Sequence, residues 1–131
     1  MFGFGELGSY TEKLNAEVKM KKHFLCTHTW ATADAREQFL KDTKDLTDRQ
    51  MFEGFKTQKA ELLQNWMGKE DFFYCHWYAE DEDAIFAALD QMGANAIMVS
   101  MPSEMQRYVS SDNFTDTPMV KLWFFVICIF S

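Results

Sequence analysis

Three histidines, three cysteines and a run of aromatic residues are the groups in this chain with the most chemistry to offer. Cys26 and His28 stand two residues apart, and Cys75 and His76 are adjacent. Side chains alternate between faces along a strand, so Cys26 and His28 share a face while Cys75 and His76 point to opposite ones. At most one of the second pair can join the first. Parity does not say which. His76 is preferred here, because Tyr74, His76 and Tyr78 share a face whose polar tips suit a semi-open cavity. Phe73, Cys75 and Trp77 make a better helix-packed face. The expected metal set is Cys26, His28 and His76, with Cys75 as the alternative ligand. Thiolate plus imidazole suits nickel, zinc or copper. Tyr74, Tyr78 and Trp30 are the companion candidates for contacts to a compact ligand.

Each of these groups also has a plainer reading. Closed structural zinc sites draw four ligands from short spacings, and no CxxC is present. Cys26 reads equally as a small buried hydrophobe, and the histidines as hydrogen-bonded members of a sheet. A Cys–His nucleophile pair would need an oxyanion loop and an orienting third group, and neither has a signature here. The acidic run Glu80, Asp81, Glu82, Asp83 lacks calcium-loop spacing and suits the positive end of a helix. The glycines near the start precede no phosphate-binding loop pattern.

These residues must be positioned by a small set of elements. Residues 24–30 read as a first strand, with Phe24, Cys26, His28 and Trp30 on one face. Thr32 can cap a following helix, and Thr47 with Gln50 has capping-box spacing, so residues 33–57 are expected to be helical with a break near Leu46. Residues 60–68 are a second strand candidate, 68–71 a polar hairpin turn, and 72–78 the strongest strand in the chain. Asp81 can cap a helix whose buried stripe is Ala84, Ile85, Ala88, Leu89 and Met92, stopped by Gly93. A last strand follows within 94–108, with Pro102 marking a bulge or an edge. The order strand, helix, strand, strand, helix, strand is the ferredoxin-like arrangement, an α+β fold with an antiparallel sheet in the order 4-1-3-2 and both helices on one face. The aromatic open face points to a homodimer, two sheets packed as a dimeric α+β barrel.

The expected organisation is an N-terminal helical arm over 1–19, a ferredoxin-like domain over 20–109, and a linker with an apolar tail over 110–131. The arm's helix is expected from about Ser9 to Lys21. The apolar run 122–130 is shorter than the about 20 residues that span a membrane, and its composition favours a strand. Of 131 residues, 47% are hydrophobic and 16% aromatic, ordinary to generous for one globular domain. A formal charge of −7 argues against nucleic acid, whose phosphates demand a basic patch. The first residues lack a signal-peptide pattern, and three unpatterned cysteines fit a reducing cytoplasm.

The segment FFYCHWYAEDEDAIFAALDQMGANAIMVSM, residues 72–101, resembles a family of small ferredoxin-like proteins, some of them described as nickel-binding. Tyr74-Cys75 matches the family's aromatic-Cys strand, and residues 84–93 its Ala-rich helix and stop. Ala79-Glu80 stands where the family often has Ala-Pro, and Met92-Gly93 where it has Ala-Gly. The resemblance implies the fold and, through Cys75 as the motif cysteine, a metal role for that residue. Face parity favours His76, so both remain open at this point. Three functions are expected: a dimeric protein that binds a metal or compact ligand, a cofactor-free monooxygenase- or isomerase-like enzyme, or an assembly module without a ligand.

Overall fold

A computed structural model describes residues 19–119. The helix expected from Ser9 lies outside them except for residues 19–21, which are not helical. The expected strand in the apolar run 122–130 lies outside them entirely.

Among the described residues the first element is β1 (Lys22–Trp30), followed by two short helices, α1 (Ala33–Asp42) and α2 (Asp48–Gly54). It continues through β2 (Ala60–Met67), β3 (Phe72–Ala79), α3 (Glu82–Asp90), a 3-10 turn (Ala94–Ala96) and β4 (Met98–Glu104). The four strands form one antiparallel sheet in the order β2-β3-β1-β4. Pro102 lies on the edge strand β4, where a missing backbone donor is tolerated. Ala94–Ala96 form a 3-10 turn before the last strand, after Gly93 takes a left-handed conformation (φ 69°) that reverses the chain beyond α3.

Each helix start is explained by a side-chain cap. Thr32 Oγ1 accepts from the backbone N–H of Ala35 at 3.0 Å. Thr47 and Gln50 form a reciprocal capping box. Asp81 Oδ1 accepts from the N–H of Ala84 at 2.8 Å, with Glu82 and Asp83 in the first turn.

The helices cover one face of the sheet. That face carries Phe24, Cys26 and His28 from β1, Leu62 from β2, and Phe73, Cys75 and Trp77 from β3, all buried. Across antiparallel strands, directly opposed residues lie on the same face, and the register pairs Phe24 with Trp77, Cys26 with Cys75 and His28 with Phe73. α3 closes tightly over this layer with Ala84, Ile85, Ala88 and Leu89. Burying an aliphatic side chain such as Ile85 stabilises the fold by about 1.5–3 kcal/mol. Met92 was expected in that stripe but lies beyond the last turn of α3 and is partly exposed, its sulfur set against Gly54. α1 and α2 contribute no fully buried residue, so they roof their part of the sheet more loosely.

No helix among the described residues covers the opposite face, where Tyr108 packs against His23 and His76. Leu25, Trp66, Phe72, Tyr74, Val99 and Met101 are exposed there. No helix among the described residues is long and apolar enough to cross a membrane.

Candidate functional site

The loose roof leaves a cavity of about 200 Å³ between the sheet and α1 and α2. Its walls are mostly apolar, including Trp30, Phe39, Met51, Phe55, Phe73 and Trp77. Three polar side chains from the sheet join them: His28, Cys75 and Asn65.

His28 is placed by the pleat of β1 and held by both neighbouring strands. Its ring stacks on Phe73 of β3, centroids 5.0 Å apart and 14° from parallel. On the other side its Nδ1 lies 2.7 Å from the Ser100 hydroxyl of β4, the residue opposite it in register. Its Nε2 is buried and has no hydrogen-bond partner. Burial pulls its pKa down to about 4, so the imidazole is neutral near pH 7. Trp77, also fully buried, leaves its indole Nε1–H without an acceptor. An unsatisfied buried donor costs about 1–3 kcal/mol. His28 and Trp77 both line the cavity, Trp77 with an N–H that lacks an acceptor and His28 with a buried nitrogen whose role is set by its tautomer.

Asn65 reaches this face through a break in the strand. The pairing of β2 with β3 shifts between Leu62 and Gln64, so Leu63 is an extra residue and parity changes after it. Asn65, opposite Cys75, then donates from Nδ2 to the Cys75 sulfur at 3.3 Å.

Burial pushes the Cys26 thiol up to about 12, helped by its nearness to Cys75, and the Cys75 thiol up to about 11 against the opposing effect of Asn65. The Cys26 sulfur is 4.0 Å from His28 Nδ1. A neutral thiol beside a neutral imidazole is not an activated thiolate pair.

The structure therefore divides the residues singled out from the sequence. Cys26, His28 and Cys75 share the covered face with Trp30. His76, preferred above as the third member of that set, lies on the opposite face with Tyr74 and Tyr78. The reason is register: Cys26 is opposed by Cys75, and His76 by Leu25. The same division separates Trp30 from Tyr74 and Tyr78, so these three do not line one site. Among the described residues, no group of three or more His, Cys, Asp or Glu side chains converges to hold a metal ion. Sequence reasoning missed Asn65, Ser100 and the indole of Trp77. Ser100 follows from His28 once the register of β4 is known, whereas nothing in the residue types of 60–67 signals the bulge that turns Asn65 inward.

On the opposite face, His23 Nδ1 lies 2.8 Å from His76 Nε2. Tyr78 and Tyr108 flank the pair, with ring centroids 4.9 and 6.4 Å from that of His23. Partial burial, and then the neighbouring His23, lower the pKa of His76.

Comparison of the chain with protein-family models, with curated proteins and with solved structures found no match.

Proposed function

We propose that this is a small ferredoxin-like binding protein that holds a compact, largely apolar ligand between its sheet and α1 and α2. The observation that carries this reading is the cavity of about 200 Å³ whose lining includes His28 and Trp77, each with a buried, unpartnered ring nitrogen. Apolar cavities of about 150 Å³ take up a molecule the size of benzene. A single-ring ligand with a carbonyl or hydroxyl oxygen fits that volume and supplies the acceptor that the Trp77 N–H lacks. Read from its β4 edge, the sheet order is 4-1-3-2, which supports the ferredoxin-like assignment. The exposed apolar side chains on the opposite face support a homodimer of the α+β barrel kind. Unbridged thiols at Cys26 and Cys75, directly opposed across two strands, support a reducing cytoplasmic setting.

The test is a thermal-shift series with benzene, p-cresol, benzaldehyde and benzoquinone, read alongside the Trp77 indole N–H resonance. The oxygen-bearing rings should raise Tm more than benzene and shift that resonance. The variant Met51→Trp, which fills the cavity from α2, should abolish both effects. No Tm rise with any ring and a stationary indole signal would overturn the reading.

A cofactor-free oxygenase- or isomerase-like enzyme is the second reading. It is favoured by His28, a neutral imidazole oriented by Ser100 at the edge of a largely apolar cavity, which is the form able to take a proton from a bound substrate. Under that reading His28→Gln retains ligand binding and loses turnover. An assembly module without a ligand is what remains if the cavity proves inert.

A further inference from the structure

Asn65 joins the cavity wall through the β2 bulge, and two hydrogen bonds then hold its carboxamide. Nδ2 donates to the backbone oxygen of Tyr74 and to the Cys75 sulfur, each at 3.3 Å. A carbonyl oxygen only accepts, so the atom facing the Tyr74 oxygen is the nitrogen, and the partners fix which way the amide lies. Both Nδ2 hydrogens are used in this way. The other half of the amide, Oδ1, accepts from no donor among the described residues.

A fixed acceptor in a mostly apolar wall selects for a donor. An ether, aldehyde or quinone oxygen set against Oδ1 puts two acceptors face to face, whereas an O–H meets it with a hydrogen bond. Trp77 stands two residues from Cys75 on the same face of β3 and makes the reverse demand, an N–H without an acceptor. A hydroxyl both donates and accepts, so one ligand group type answers both demands. His28 Nε2 accepts only in the tautomer that carries its proton on Nδ1, and the Ser100 hydroxyl suits either tautomer. Asn65 has no such freedom, because its nitrogen is already committed to two acceptors.

We infer that Asn65 Oδ1 is the specificity-determining acceptor of the cavity, and that the ligand it selects is a phenol, a single ring whose hydroxyl donates to Asn65. This assignment rests on the cavity being a ligand site, and narrows its occupant from any oxygen-bearing ring to a hydroxylated one. Cys75 is a positioning residue here: its sulfur takes one Nδ2 hydrogen and keeps the amide from turning over. All of these groups lie on the helix-covered face, so a second copy on the other face of the sheet leaves them untouched.

The experiment compares p-cresol with anisole, isomers that match in size and differ in having or lacking an O–H donor. Calorimetric titration of the full chain with each, and with benzene, is paired with NMR of the Asn65 side-chain amide. The wild-type chain should bind p-cresol about fivefold more tightly than anisole. p-Cresol should shift the Asn65 Nδ2 resonances, and anisole should leave them in place. Asn65→Leu should bind the two isomers equally and still take up benzene. Equal affinity of the wild-type chain for the two isomers, with benzene bound, overturns the phenol assignment and leaves the cavity reading standing. Failure of all three rings to bind overturns both. A preference for p-cresol that survives in Asn65→Leu gives the donor contact to another group and overturns the role of Asn65. The wild-type comparison decides the matter however the variant folds.

Discussion

Burying His28 lowers its pKa to about 4 from an ordinary value of 6.5. The unfolded chain therefore takes up a proton on this ring at pH values where the folded chain does not. Its contribution to stability is full above about pH 6.5 and is lost progressively as pH falls toward 4. The interval corresponds to about 3 kcal/mol. Denaturant titrations between pH 7.5 and 4.5, extrapolated linearly to zero denaturant, should show this decline. His28→Gln should flatten most of it, and a variant with the wild-type slope would show that other groups carry the effect. The thiols give a second expectation at this scale. With pKa values near 12 and 11, Cys26 and Cys75 should resist iodoacetamide at pH 8 in the folded protein and react once it is unfolded, as read by peptide mass spectrometry. Legibility at this scale was partial for a definite reason. The period of two puts Cys26 with His28 on any strand, but the choice between Cys75 and His76 depends on pairing register, a long-range property that residue types in one strand do not carry.

Elements were far more legible than contacts, because their signals are local. Thr32, Thr47 with Gln50, and Asp81 are each read from neighbours three residues on, and each caps the helix expected of it. The 3-10 turn and the β2 bulge were not legible, since one depends on how Gly93 swings the chain toward β4 and the other on packing against β3. The Asp81 cap carries a test. Asp81→Ala should destabilise the domain by about 1 kcal/mol, whereas Asp81→Asn, which keeps an accepting oxygen, should cost much less. The ion pair of Asp81 with Lys19 is solvent-exposed and adds little. Equal losses in the two variants, by urea denaturation, would assign the effect to charge and not to the cap. Gly93→Ala should cost about 1 kcal/mol as well, because its φ of 69° lies where an L side chain is strained, although a Cβ there meets no neighbour within 4 Å.

At the scale of the whole molecule the governing feature is the asymmetry of the sheet. Among the described residues, one face is roofed by three helices, and the other presents exposed Trp66, Phe72, Tyr74, Val99 and Met101. Soluble monomers rarely leave so many large apolar side chains contiguous, so the proposed second copy is the economical cover. Two chains of formal charge −7 repel each other, which makes the expected dimer apolar in origin and stronger at higher salt. Light scattering after size exclusion should give twice the chain mass at micromolar concentration, with dissociation shifting to lower concentration as salt is raised. Met101 is half exposed on β4 and lies beside Thr27 of β1 on this face. Met101→Glu should yield a monomer whose circular dichroism and Tm remain close to wild type, since the charge is solvated in the monomer and buried only in the pair. A wild-type chain that stays monomeric at every salt concentration, or a Met101→Glu variant that remains dimeric, would place the association elsewhere and leave the apolar face to another occupant.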